Sequence, residues 1–587
     1  MKTTWNFSLL YKSIDDPKIE KDIEKIEEGI DVFSKRFDVE DKKYLRDKDA
    51  LFLLLTEYEN LEKRTVDLQP LNYLSCLIDT DSKNNKAISK ISLFENRLVQ
   101  AQNKMLFFEI SLGTIDQAFR EQILSDDRFK HYRFQLNKIF DDQKYTLSIK
   151  EEKIMGLKSL PSYDMWVMMN DRILSDIKIK WKNKLIPGSE ALDLVQNLPK
   201  QKDRARLSLE INKEIKKMAP VAEAEINAIV TNKKINDSLR GYKEAFDATV
   251  QGYRNDKKTV LTLVNEVTNN FKISHKFYKI KSRLLNVKKM GYFDRGAPIG
   301  KISKKFDFVQ STKLLGNIFG SINPLYKKIL DQYTDNGQID VYPKVGKIGG
   351  AYCRGSYTEP TYVLLNHADD YRSFETYAHE MGHAFHTYLS RSQSPIYAGY
   401  STVLAETAST LFENIALNSV YDSLSKKEKI IALHDKINGD IATIFRQIAC
   451  FNFEKDIHDS VRAKGFLSKE ELADMHNKHM QAYLGPSFEL KQDDGLFFVN
   501  WSHIRRFFYV YSYAFGLLVS KALLRRYKQD PAFWTSIEKF LSTGGRDTPE
   551  NILKDIGIDV TKPDFWKEGL LEIEEDIKTL DELTKSL

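Results

Sequence analysis

The sequence predicts a mostly α-helical protein in two domains, with a small β-sheet next to one buried helix. Three observations predict it. Apolar residues recur at helical spacing between charged ones over long stretches on both sides of residue 190. The run Leu185-Ile-Pro-Gly-Ser189 breaks that periodicity and divides residues 1–195 from residues 196–587. Strand patterning is confined to short segments just ahead of a markedly apolar helix.

In chain order, Lys18 to Phe37, Ala50 to Leu68 and Leu93 to Leu112 read as amphipathic helices, with Asp79 to Lys86 as a polar connector. Nothing in this half has the spacing of a metal site or a nucleophile. It reads as a packed helical wall. Past the boundary, Gln201 to Lys217 and Val221 to Leu239 are long amphipathic stretches on either side of Pro220. Tyr292 to Pro298 is a loop, Asn336-Gly337 a turn signal and Ile339 to Tyr342 a short strand. Gly349-Gly350 opens a flexible segment, and Thr361 to Asn366 is the clearest strand. A free edge on that strand would let an extended peptide pair with it, backbone to backbone. Further on, Leu467 to Leu472 carries a capping box, with Ser468 as N-cap and Glu471 three positions later. Thr548-Pro549 opens another helix. Phe507 to Ser520 is uncharged and apolar, too short to span a bilayer and suited to a buried core helix.

Composition excludes several classes. Hydrophobic residues make up 42% and charged residues 29% of the 587, a balance that supports a large buried core. The net charge of +6 comes from 89 basic and 83 acidic residues that are interspersed, which leaves no nucleic-acid or membrane footprint. Cys76, Cys353 and Cys450 are isolated in sequence and build no disulfide framework. With no signal-peptide pattern at the start, they point to the cytoplasm.

The chemistry is concentrated in His379-Glu-Met-Gly-His383. Two histidines four apart on a helix lie on one face, roughly 5–6 Å apart at their Cβ atoms. That spacing suits one tetrahedral ion, with Glu380 beside it to take a proton from water. A solvated helix with two surface histidines is the plain alternative. Phe374, Tyr377, Ala378, Phe385 and Tyr388 argue against it, because they bury the same helix. A hydrolytic site of this type needs a third protein ligand. Glu406 sits among Val403, Leu404, Ala405 and Ala408, where an unpaired carboxylate is costly, and is the expected third ligand. Glu413, seven residues on, faces the same way and would accept from a ligating histidine; Glu375, one turn before His379, is its rival. His386 reads as packing or substrate contact.

These segments resemble the oligoendopeptidase F branch of the thimet oligopeptidase family. The resemblance is carried by His379 to His386 and by Leu404-Ala-Glu-Thr-Ala-Ser-Thr410. It extends through Gly349 to Ser356, Tyr362 to Asn366, Phe445 to Glu454 and His503 to Gly516, and back to Trp5 to Tyr11 with Asp15-Asp-Pro17. It covers nearly the whole chain. It implies a mostly helical, two-lobed zincin with a deep substrate channel, one Zn2+ per chain and short peptides as substrates. No nucleic-acid or membrane partner is implied, and the state is a monomer or a homodimer. It also implies that His503 binds substrate and that a tyrosine after it stabilises the oxyanion. Tyr509 and Tyr513 share a helix face and Tyr511 points away from both, so Tyr509 or Tyr513 takes that part.

The expected activity is therefore cleavage of internal bonds in short peptides. Two alternatives stand beside it. A carboxypeptidase-type exopeptidase on the same site would need a cation such as Arg354, Arg505 or Arg506 to grip a free carboxylate. A silent helical peptide-binding protein would be expected to lack one or more of the ligands and the base, all of which are present.

Overall fold

The computed structural model describes residues 1–40, 42–358 and 360–585. Two hydrophobic cores organise it. The first runs from Tyr11 to Phe140 and is built from helices such as Pro17–Ser34, Lys48–Thr65 and Asn85–Gln102. The second, larger core runs from Ile179 to Leu580. The architecture is mostly helical with small sheets, as expected.

Local chemistry explains most element ends. Asp16, Asp47 and Asn84 cap those three helices by accepting backbone N–H bonds. Ser468 and Glu471 form the capping box read from the sequence, and Thr548 caps the helix that Pro549 begins. Elsewhere tertiary packing overrides the pattern. The stretch Leu93 to Leu112 is broken at Asn103–Met105 into two helices. The two stretches around Pro220 are instead one helix, Gln201–Arg240. The proline removes one backbone bond, but Ile215, Ala219, Ala222 and Ile226 bury the same face on both sides of it. The segment around Leu185 to Ser189 forms half of a hairpin: β1 (Lys178–Trp181) pairs antiparallel with β2 (Lys184–Pro187), and Gly188–Asn197 follows as a helix.

The sheet that bears on the site has three strands, β3 (Ile339–Asp340), β4 (Tyr352–Arg354) and β5 (Tyr362–Leu364), in the order β3-β5-β4. β5 is parallel to β3 and antiparallel to β4. This corrects one expectation. The strand at Thr361 to Asn366 has no free edge, because both of its sides are paired; β4 is the open strand next to the motif helix. The start of the chain laces onto the same sheet. Trp5 donates its indole N–H to the carbonyls of Val363 at 2.9 Å and Gln338 at 3.1 Å, and the Tyr362 hydroxyl donates to Asn6 O at 2.8 Å.

Candidate metal centre and active site

The motif helix spans Tyr371–Ser390 and is capped by Asp370, which accepts from the Ser373 N–H. Phe374, Tyr377, Ala378, Met381, Ala384 and Phe385 are fully buried, which fixes the helix's rotation and turns His379 and His383 the other way. The next long helix, Thr402–Tyr421, crosses it closely. Gly382 makes that approach feasible: a Cβ there would lie 2.7 Å from Ser409 Cα and 2.9 Å from Ala408 O. A second glycine does the same behind Glu406. A Cβ on Gly516, in the helix Tyr511–Gln529, would lie 3.2 Å from Glu406 Cβ.

The two crossings bring three expected ligands together. Glu406 Oε2 lies 3.3 Å from His379 Nε2 and 3.7 Å from His383 Nε2, and one donor atom from each residue fits within 4.8 Å of the others. The side chains remain 24, 18 and 34% exposed for His379, His383 and Glu406, so solvent and substrate reach them. His379 Nδ1 bonds Glu413 Oε2 at 2.7 Å, which directs Nε2 toward Glu406. Of the two rivals, Glu413 makes this contact. Glu375 lies in the same cavity of about 570 Å³, with His379, Glu380, Arg372 and Glu413. Burial, and then the Glu413 charge, push its carboxyl up to about 8.

The electrostatics are those of a site suited to positive charge. Burial raises the Glu406 carboxyl, but the hydrogen bond from His379 and the nearby imidazoles reverse that and hold it down at about 2. Burial depresses His379, yet its bonds to Glu406 and Glu413 carry it well above an ordinary histidine. His383, mainly desolvated, falls to about 4 and stays neutral. Two imidazoles and one ionised carboxylate, with Ser409 donating to Glu406 Oε2 at 2.9 Å, match the kind of donor set that a catalytic zinc ion takes. The residues fit that group.

Glu380 is 6% exposed, and burial pushes its carboxyl up to about 7. The Cys353 backbone on β4 hydrogen-bonds it, so the open strand and the expected base meet. Its Oε2 has no hydrogen-bond partner among the described residues.

The His503 constellation is also assembled, by different means. His503 Nδ1 meets the Tyr509 hydroxyl, and the His503 and Tyr513 ring centroids are 6.1 Å apart. Tyr509 and Tyr513 lie side by side at 5.7 Å. Burial, then the Arg446 and Arg506 charges, lower His503 to about 4. Tyr511 points away, donating to Asn255 Oδ1 at 2.9 Å. Tyr513 lies one turn before Gly516, on the face that meets Glu406. The helix starts at Tyr511, so Phe507 to Val510 are a turn and not the helical run read from the sequence. Phe507 and Phe508 both have positive φ, 46° and 61°.

The other candidates are placed as follows. His386 is buried and stacked on Tyr400 at 3.6 Å, a packing contact. Arg505 is locked by two 2.6 Å bonds to Glu225, and Arg354 is engaged by Asp79. Sequence reasoning missed Gln447, 3.4 Å from His503 Nε2, and the Cys353 contact. It also missed the role of Gly382, although a glycine inside a buried motif helix is a visible signal.

The comparisons agree with this architecture. A family model described as Peptidase family M3 matches residues 194–571, and one described as Oligopeptidase F matches residues 112–179. An oligoendopeptidase F homolog of Borreliella burgdorferi is 26% identical over 95% of this chain and 94% of its own length. A Chlamydophila abortus protein described as a candidate peptidase has a similar structure, with TM-score 0.84 at 24% identity over 99% of this chain and 98% of its own. The oligoendopeptidase F of Enterococcus faecium has TM-score 0.72 at 17% identity over 97% and 99%. No helix among the described residues is long and apolar enough to cross a membrane.

Proposed function

The chain belongs to peptidase family M3, and from that premise we propose that it is a zinc-dependent oligoendopeptidase cleaving internal bonds of short peptides. The convergence of His379, His383 and Glu406 within 4.8 Å, with Glu380 alongside, carries the reading. Those three residues would hold the ion; nitrogen and carboxylate donors suit zinc. When bound, the ion supplies Lewis acidity, lowering the pKa of the attacking water and polarising the scissile carbonyl. Glu380 takes the proton from that water and returns it to the leaving amine. Its buried, raised carboxyl suits both directions of transfer. Glu413 fixes the His379 ring. The open side of β4 aligns an extended peptide through its backbone, which suits varied side chains. His503 Nδ1 and the Tyr509 hydroxyl share one hydrogen bond, so this pair offers one donor to the oxygen that gains negative charge. That donor is the Tyr509 hydroxyl where Nδ1–H donates to it, or His503 Nε2–H where Tyr509 donates to Nδ1; the Tyr513 hydroxyl is the alternative tyrosine donor.

Arg354 and Arg505 are engaged by carboxylates, which leaves Arg506, whose charge acts on His503, as the cation that C-terminal trimming would use. A quenched peptide blocked at both ends tests this. Cleavage at an internal bond, lost on chelation and restored by zinc, is expected. Turnover only of peptides with a free C-terminus, or turnover untouched by chelator, overturns the proposal.

A further inference from the structure

We propose that Glu454 is a positioning residue for this reaction: it holds the left-handed turn at Phe507–Phe508 that sets the Tyr509 hydroxyl against His503. The inference rests on the reading of the bonded His503–Tyr509 pair as the source of an oxyanion donor.

The turn does not hold itself. Two successive aromatic residues at positive φ are strained, and persist only where surroundings impose them. Two side chains do so here. The Phe508 N–H donates to Glu454 Oε1 at 2.9 Å, and the Thr249 hydroxyl donates to Phe507 O at 2.8 Å. Both bonds fall on the single peptide unit that joins Phe507 to Phe508, one on its carbonyl and one on its N–H. The next residue is Tyr509, and its hydroxyl meets His503. The start of this segment is fixed separately. Arg505 is clamped by Glu225 and by the carbonyls of Phe498, Val499 and Trp501.

Glu454 is an expensive choice for a fold. It is wholly buried, and its Oε2 has no partner among the described residues. The neighbouring His458, 4.0 Å away, has neither ring nitrogen bonded within that set. Buried polar groups left this incomplete weaken a core unless they act elsewhere. Burial holds the Glu454 carboxyl up at about 8, so it accepts the Phe508 N–H largely as a neutral acid. Glutamine reproduces that acceptor; methionine fills the same space without it.

The experiment is a double-mutant cycle on the zinc-loaded full chain, read as kcat and KM on a blocked quenched peptide. Glu454→Gln is expected to stay within about threefold of wild type. Glu454→Met should lower kcat about tenfold or more with KM little changed, and should cost under about threefold in a Tyr509→Phe background. Full additivity of the two substitutions, or wild-type kcat in Glu454→Met, overturns the inference. Should Glu454→Met fail to fold, Thr249→Val in the same cycle gives the same reading: a kcat loss that vanishes beside Tyr509→Phe supports it, and an additive or absent loss overturns it. A Tyr509→Phe enzyme with undiminished kcat sinks the oxyanion reading and this inference together. A slow Tyr509→Phe beside an unaffected Glu454→Met sinks this inference alone.

Discussion

The proposed metal triad and the proposed oxyanion donors lie on neighbouring elements but are built in opposite ways. The triad rests on two regular helices whose periodicity alone turns His379, His383 and Glu406 to one side, and two glycines set the spacing. The His503–Tyr509 pair hangs on an irregular segment, shaped by groups from Thr249, Glu225 and Glu454, each remote in sequence. Regular elements give rigidity at little cost. A strained turn needs surrounding structure to over-determine it.

Changes that break the triad side of this contrast have the largest expected effects. Glu406→Ala removes the only carboxylate of the three-ligand set, so zinc binding should weaken by more than about tenfold and peptidase activity should disappear at limiting zinc. Metal analysis after dialysis checks it; full retention contradicts the assignment. Glu380→Gln touches no expected ligand. It should keep its zinc while kcat falls about 10²–10⁴-fold, and near-normal turnover would remove Glu380 from its role. Gly382→Ala tests the geometry between the helices. Its Cβ would press on backbone atoms that cannot rotate away, so a loss of about 1–3 kcal/mol in denaturant stability is expected, together with poorer zinc binding. A variant as stable as the parent would show that the crossing has slack.

Acidification tests both regions at once and should have the mildest effect. Burial holds His383 and His503 near 4, below the ordinary 6.5, and the charges of His379 and of Arg446 and Arg506 respectively assist it. Between those values the unfolded chain binds protons that the folded chain refuses. Their contribution is therefore present above pH 6.5 and is lost as pH falls toward 4. The raised carboxyls of Glu375, Glu380 and Glu454 act with the opposite sign over the same window, so the rings are read directly. In the zinc-free protein the NMR titration midpoints of His383 and His503 should lie near 4, and midpoints near 6.5 would refute their burial.

The same contrast explains what could be read from the sequence. His379, Glu380 and His383 are legible as candidates because a helix converts spacing into direction, and Glu406 because a carboxylate among apolar residues needs a partner. The choice between Glu375 and Glu413 was not, since both lie within reach and only the interhelical packing brings Glu413 to His379 Nδ1. Pairing partners are equally silent in a sequence. β5 looked like an open strand, and only the fold shows β3 and β4 covering it. The Phe507–Phe508 turn read as helix because phenylalanine at positive φ leaves no mark of the kind glycine leaves. Gln201 to Lys217 and Val221 to Leu239 read as two stretches because the burial that carries one helix through Pro220 is not local.

The lacing of Trp5 onto Gln338 and Val363 sets an order of assembly. During synthesis this indole leaves the ribosome early, then waits while the more than 330 residues that separate it from its acceptors are made. The nascent chain thus holds the Trp5 segment in reserve, and the strands beside the proposed site are fastened only once Gln338 and Val363 have been made.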